Sequence, residues 1–83
     1  MYEVILDKIA KKQLSKLSED TRIRIIKALE RIKIRPHSFL KSLSGSPYFR
    51  LRVGDYRIIL DVQNKKLIIL VLELGHRKNI YKT

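Results

Sequence analysis

The dipeptide Gly54-Asp55 sits between two alternating runs, Tyr48 to Val53 and Tyr56 to Val62, and no other feature of the chain constrains its fold as much. A glycine beside an aspartate between such runs is a hairpin signal. Folding about it sets Val53 opposite Tyr56, Leu51 opposite Ile58, Phe49 opposite Leu60 and Arg52 opposite Arg57. A four-residue loop, 53 to 56, leaves the remaining pairs unchanged, so the register does not hinge on the turn type. One face of the hairpin is then apolar, and the other carries Arg50, Arg52 and Arg57. Like charges directly opposite on a sheet repel, costing a few tenths to about 1 kcal/mol. Because guanidinium forks match phosphate oxygens, the cationic face reads as an anion site.

The flanking segments supply the rest of the architecture. Tyr2, Val4 and Leu6 recur at period two and predict a first strand over residues 1 to 6. Asp7 is placed to cap a short helix through Leu17. Ser18 caps a second helix, with Glu19 and Asp20 in the turn where the backbone dipole favours negative charge. Ile25, Ile26, Leu29 and Ile32 mark its apolar face, and Pro36 is expected to end it. Residues 42 to 47, rich in Ser, Gly and Pro, read as an internal loop, and His37 stands in a connection with no evident partner. Beyond the hairpin, residues 66 to 74 form an apolar run suited to a strand covered on both faces, joined to the hairpin by residues 63 to 65. The order β-α-α-β-β-β makes an α+β fold of one domain over residues 1 to 83, a mainly antiparallel sheet with both helices on one face.

Charge narrows the partners. The chain carries 19 Lys and Arg against 8 Asp and Glu, a formal net charge of +11 that favours encounters with nucleic acid or an acidic protein. The surplus is strongest after residue 34, where ten basic residues face three acidic ones. The lysines of the first helix, Lys8, Lys11, Lys12 and Lys16, read as a solvated face. The chain has no cysteine, and residues 1 to 10 contain Glu3, Asp7 and Lys8 where a secretory leader would be basic and then apolar, so a cytoplasmic location is expected. The longest apolar run, residues 67 to 72, falls well short of the roughly 20 residues needed to span a bilayer, so no membrane partner is expected.

A second cationic element follows the last strand: His76, Arg77 and Lys78 in succession, then Tyr81, with no acid as far as Thr83. Basic residues with interleaved aromatics are the footprint of single-stranded nucleic-acid contact. Together, Leu43-Ser44-Gly45, Tyr48 to Ile59 and Gly75 to Tyr81 resemble the RelE-type toxin family of bacterial and archaeal toxin-antitoxin systems, a likeness that covers essentially the whole chain. The resemblance implies a RelE-like fold and a toxin that enters the ribosomal A site, cuts messenger RNA there and is neutralised by a cognate RelB-like antitoxin. The cut it implies is attack by an RNA 2′-hydroxyl on the adjacent phosphorus, with no metal and no small-molecule cofactor. It assigns Arg50 and Arg57 to phosphate binding and transition-state stabilisation, Arg77 to the leaving oxygen, and Tyr81 to the attacking hydroxyl or to stacking on a base. Arg52, His76, Lys78 and Tyr48 are expected to bind RNA.

The chain departs from the family pattern at one point of chemistry. Two lysines of the best-studied members fall where this chain has Tyr48 and Arg50. Arginine does not surrender a proton as lysine does, so the general base is left unassigned. Ordinary structural roles compete with each assignment: Arg52 paired with Asp55 or Asp61, Arg57 paired with Asp61 or Glu73, His76 a locally bonded imidazole, and Tyr48 and Tyr56 packing residues. Two other functions stay open, a ParE-like inhibitor of DNA gyrase and a non-catalytic module that binds RNA or the ribosome.

Overall fold

In the computed structural model, which describes residues 1–77, the chain runs β1 (Glu3–Leu6), α1 (Lys8–Ser15), α2 (Glu19–Arg31), a 3₁₀ turn (Pro36–Ser38), β2 (Lys41–Ser42), β3 (Phe49–Val53), β4 (Tyr56–Gln63) and β5 (Ile68–His76). Five strands form one sheet in the order β1-β5-β4-β3-β2, with β1 parallel to β5 and the other pairs antiparallel. The α+β class, the mainly antiparallel sheet and the hairpin register agree with the sequence reading. Arg52 lies opposite Arg57 and Val53 opposite Tyr56. Gly54 takes φ +59° at the first turn position and Asp55 keeps a negative φ, the pattern of a type II′ hairpin that matches strand twist.

Both helices start where their capping residues stand. The Asp7 carboxylate accepts from the Lys8 N–H at 2.8 Å, and the Ser18 hydroxyl accepts from the Thr21 N–H at 3.4 Å. Ala10 of α1, Ile25 and Leu29 of α2 and the following Ile32 meet Leu51, Ile58, Leu60, Ile69, Val71 and Leu74 of the sheet in one buried core. The opposite face of β3 and β4 carries Arg50, Arg52 and Arg57. No helix among the described residues is long and apolar enough to cross a membrane.

Four expectations are corrected. The segment read as a loop from Ser42 begins inside a two-residue strand, with Lys41 opposite Arg50 and Ser42 opposite Phe49. The Leu43 N–H donates to the Tyr48 carbonyl at 3.0 Å and closes this second hairpin. Helix α2 stops at Arg31, five residues before Pro36, because the Lys33 carbonyl accepts the Tyr2 N–H at 2.8 Å and so ties the helix end to the first strand. The last strand begins at Ile68, since Leu67 sits in the preceding turn at φ +54°. His37 does have partners: its Nε2 lies 3.2 Å from Asn64 Oδ1, which also accepts from the Tyr2 hydroxyl, and its ring meets Phe49 edge-on at 5.6 Å.

A bulge in β5 matters for the site. Ile59 pairs with Glu73 but Leu60 pairs with Val71, which leaves Leu72 as the extra residue. The Leu74 N–H just beyond it donates to Gln13 Oε1 at 2.7 Å, so a side chain of α1 satisfies the strand where its ladder is interrupted.

Candidate phosphate-binding site

The hairpin register fixes the site. Alternation along β3 points Arg50 and Arg52 to the face away from the helices, and direct pairing puts Arg57 of β4 on the same side. Lys41 joins them because residues directly opposite on antiparallel strands share a face, and its partner is Arg50. Phe39, Lys41, Arg50, Arg52 and Arg57 line a cleft of about 170 Å³. Sequence reasoning missed Lys41, and its pairing with Arg50 through so short a strand leaves no periodic signal.

Within this cleft Arg57 is the buried cation. It is 6% exposed, whereas Arg50 is half-buried and Arg52 and Arg77 are exposed. Burial first, and then the charges of Arg50, Arg77 and Arg52, lower the Arg57 pKa from its ordinary value. The three charges that lower it are all positive. The Arg52 Nε donates to the Gly54 carbonyl at 3.3 Å, and the Asp61 carboxylate accepts from the Gln63 amide at 3.2 Å. An ion pair joins Lys33 to Glu30 at the end of α2, and neither residue lines this cleft. A concentration of cations with one of them desolvated is an arrangement that an incoming phosphoryl group relieves.

The remaining candidates divide. Arg77 follows β5, and its N–H donates to the Asp55 carbonyl at 2.8 Å, which ties the start of the tail to the hairpin turn and brings its charge within range of Arg57. Tyr48 stands immediately before β3, 39% exposed, and does not line the cleft. His76 pairs with Tyr56, and their rings meet edge-on at 5.6 Å. Tyr56 packs against the core, so His76 occupies the helix-side face of the sheet, opposite to Arg57. Lys78 and Tyr81 lie outside the described residues. Among the described residues no three His, Cys, Asp or Glu side chains gather as a metal site requires.

A second, larger hollow of about 460 Å³ adjoins the first, sharing Phe39 and Arg52 with it. Its rim adds Arg24, Lys27 and Arg31 of α2, and its floor includes Ala28, Ile32 and Leu51. The Arg24 guanidinium approaches Gly54 so closely that a Cβ there would lie 3.0 Å from its terminal nitrogen. The cationic surface thus continues from the sheet onto the second helix, around the Phe39 ring.

Comparison with known proteins agrees with this geometry. A family model described as the ParE toxin of the type II toxin-antitoxin system parDE matches residues 4–81. No curated protein sequence matches. Among solved structures, RelE in the RelE–RelB complex of Pyrococcus horikoshii superposes with a TM-score of 0.79 at 29% identity, covering 92% of this chain and 94% of that one. The intact RelBE complex of E. coli gives 0.79 at 26%, covering 92% and 96%. The RelBE2 complex of Mycobacterium tuberculosis gives 0.83 at 23%, covering 92% and 98%, a likeness of fold. The chain belongs to the ParE toxin family of type II toxin-antitoxin systems and, within the RelE/ParE superfamily, is a RelE-type toxin.

Proposed function

We propose that this toxin is a ribosome-dependent endoribonuclease that cuts messenger RNA in the ribosomal A site. The observation that carries the reading is the cleft itself, where Arg50, Arg52 and Lys41 surround a guanidinium that is 6% exposed. Cleavage by a 2′-hydroxyl forms a phosphorane-like transition state with added charge on the non-bridging oxygens. Fixed cations in a partly dried site stabilise that charge more than they stabilise the ground state. Arg50 and Arg57 hold the phosphoryl oxygens, Arg77 acts at the leaving oxygen, and Tyr81 activates the attacking hydroxyl or stacks on a substrate base. Arg52, Lys78 and Tyr48 bind the flanking RNA. His76 has no part in this proposal, because its register places it on the other face beside Tyr56.

The Pyrococcus horikoshii and E. coli structures named above are complexes of RelE with RelB. We infer a RelB-like antitoxin for this chain too, acidic and wrapped over the cationic surface. Its association should be salt-sensitive, because screening weakens steering between opposite charges, while dissociation stays slow where apolar surface is buried. The description of the matching family model favours a second reading, inhibition of DNA gyrase by protein contact, and the buried cation of the cleft is what favours cleavage over it. The test is a cell-free translation reaction with the purified chain, in which message 5′ ends are mapped by primer extension with and without ribosomes. Cuts inside the reading frame that need ribosomes are expected. Intact message, together with inhibited gyrase supercoiling, would favour the second reading.

A further inference from the structure

We propose that the larger hollow beside α2 holds a nucleotide of the single-stranded message next to the scissile phosphate, its base stacked on Phe39, an inference that rests on the endoribonuclease reading. The two hollows join, since Phe39 and Arg52 line both. Strand β2 pairs only with Phe49 and Arg50 of β3, so the outer edge of β3 from Leu51 to Val53 opens onto the larger hollow. An RNA strand whose phosphate lies on Arg50 and Arg57 leaves the cleft over this edge. Phe39, 42% exposed, stands at the crossing. An exposed aromatic ring between two groups of cations is a platform on which a base of an unpaired strand stacks.

The rim carries the charge that the backbone of such a strand needs. Arg24, Lys27 and Arg31 are spaced three and four residues apart, which puts them on one face of α2 in a row about 10 Å long. All three are exposed. At the hairpin turn two guanidinium groups converge: Arg52 Nε donates to the Gly54 carbonyl at 3.3 Å, and the Arg24 terminal nitrogen lies 3.0 Å from where a Gly54 Cβ would stand. Among the described residues no carboxylate lines either hollow. The floor of Ala28, Ile32 and Leu51 offers no polar side chain to select one base, so the contact tolerates any sequence. An acidic amphipathic helix of a protein would also meet an apolar floor and a cationic rim. Continuity with the phosphate cleft favours RNA, because a single strand then occupies both hollows with successive phosphates on cations.

The test is fluorescence anisotropy of the folded chain with a labelled single-stranded hexaribonucleotide and with a trimer of the same base composition, both 2′-O-methylated so that no hydroxyl can attack. A labelled helical peptide rich in Leu and Glu serves as the protein probe. Phe39, Lys27 and Arg31 are exposed, so equal melting temperatures are expected for every variant. Phe39→Ala and Phe39→Leu should weaken the hexamer by about 5- to 150-fold, the scale of one lost base stack, whereas Phe39→Tyr should bind as wild type does. The double variant Lys27→Ala, Arg31→Ala should weaken the hexamer more than the trimer. It should also flatten the slope of log K against log salt by about 1.4, since two phosphate contacts are lost. Phe39→Leu at wild-type affinity would overturn the proposal, because apolar bulk alone would then suffice. An unchanged hexamer affinity and slope in the double variant would overturn it too, and loss of the peptide alone would give the hollow to a protein partner. In each case a wild type that cuts ribosome-bound message leaves the endoribonuclease reading standing, whereas a wild type that neither binds the hexamer nor cuts removes the reading and this proposal together.

Discussion

The two faces of one sheet are built from the same strands and follow opposite rules. On the helix side, Leu51, Ile58, Leu60, Ile69 and Val71 are buried against Ala10, Ile25 and Leu29, and each removes apolar surface from water. On the other side the same strands carry Arg50, Arg52 and Arg57, one of them 6% exposed among like charges. The apolar face contributes stability, whereas on the cationic face burial and like charges disfavour the charged form of Arg57. Hairpin register makes the division possible, because alternation allows each strand to serve both purposes at once.

The largest loss of stability is expected on the apolar side. Ile69→Ala should lower stability by about 2–5 kcal/mol, since it opens a cavity at a fully buried position, and urea titration would show the loss. Next comes Arg57→Met, which sharpens the contrast. The folded state holds the Arg57 proton less well than the unfolded chain does, so the charge costs stability throughout the neutral range. That cost is relieved only as pH rises through the lowered pKa, in the alkaline range. Arg57→Met should therefore melt no lower than wild type at neutral pH, whereas added inorganic phosphate should raise the melting temperature of wild type more than that of the variant.

Smaller effects follow at the joints between the faces. Gln13→Ala removes the acceptor of the Leu74 N–H beside the bulge and should cost about 1–2 kcal/mol by thermal unfolding. Gly54→Ala must hold φ +59° with a Cβ, a cost of about 1–2 kcal/mol on the same measurement. Its added methyl also displaces the Arg24 guanidinium, a flexible group that moves at little further cost.

What was legible in the sequence follows the same division. The hairpin, the Arg52–Arg57 juxtaposition and the helix-side core were readable because period-two alternation and a glycine turn leave little choice of register. Lys41 was not, because a strand of two residues has no period and its Ser, Gly and Pro neighbours signal a loop. The face of His76 was hidden for a different reason. Ile69 and Val71 face the helices, so unbroken alternation would turn residues 72, 74 and 76 the other way. The extra residue Leu72 shifts the count by one and carries Leu74 and His76 to the helix side. Helix α2 ended early through the hydrogen bond between Tyr2 and Lys33, a contact between distant parts of the chain that no local pattern announces.

In the proposed function the cationic face does chemistry which the fold does not need. Its most direct test gives equal amounts of folded wild type and Arg57→Met to programmed ribosomes, and measures the cleavage rate beside the melting temperature of each. The expected rate is lower by about 100- to 1,000-fold, the scale for losing one fixed donor at a developing oxyanion, in a variant that melts no lower than wild type. Equal cleavage by the two proteins would contradict it.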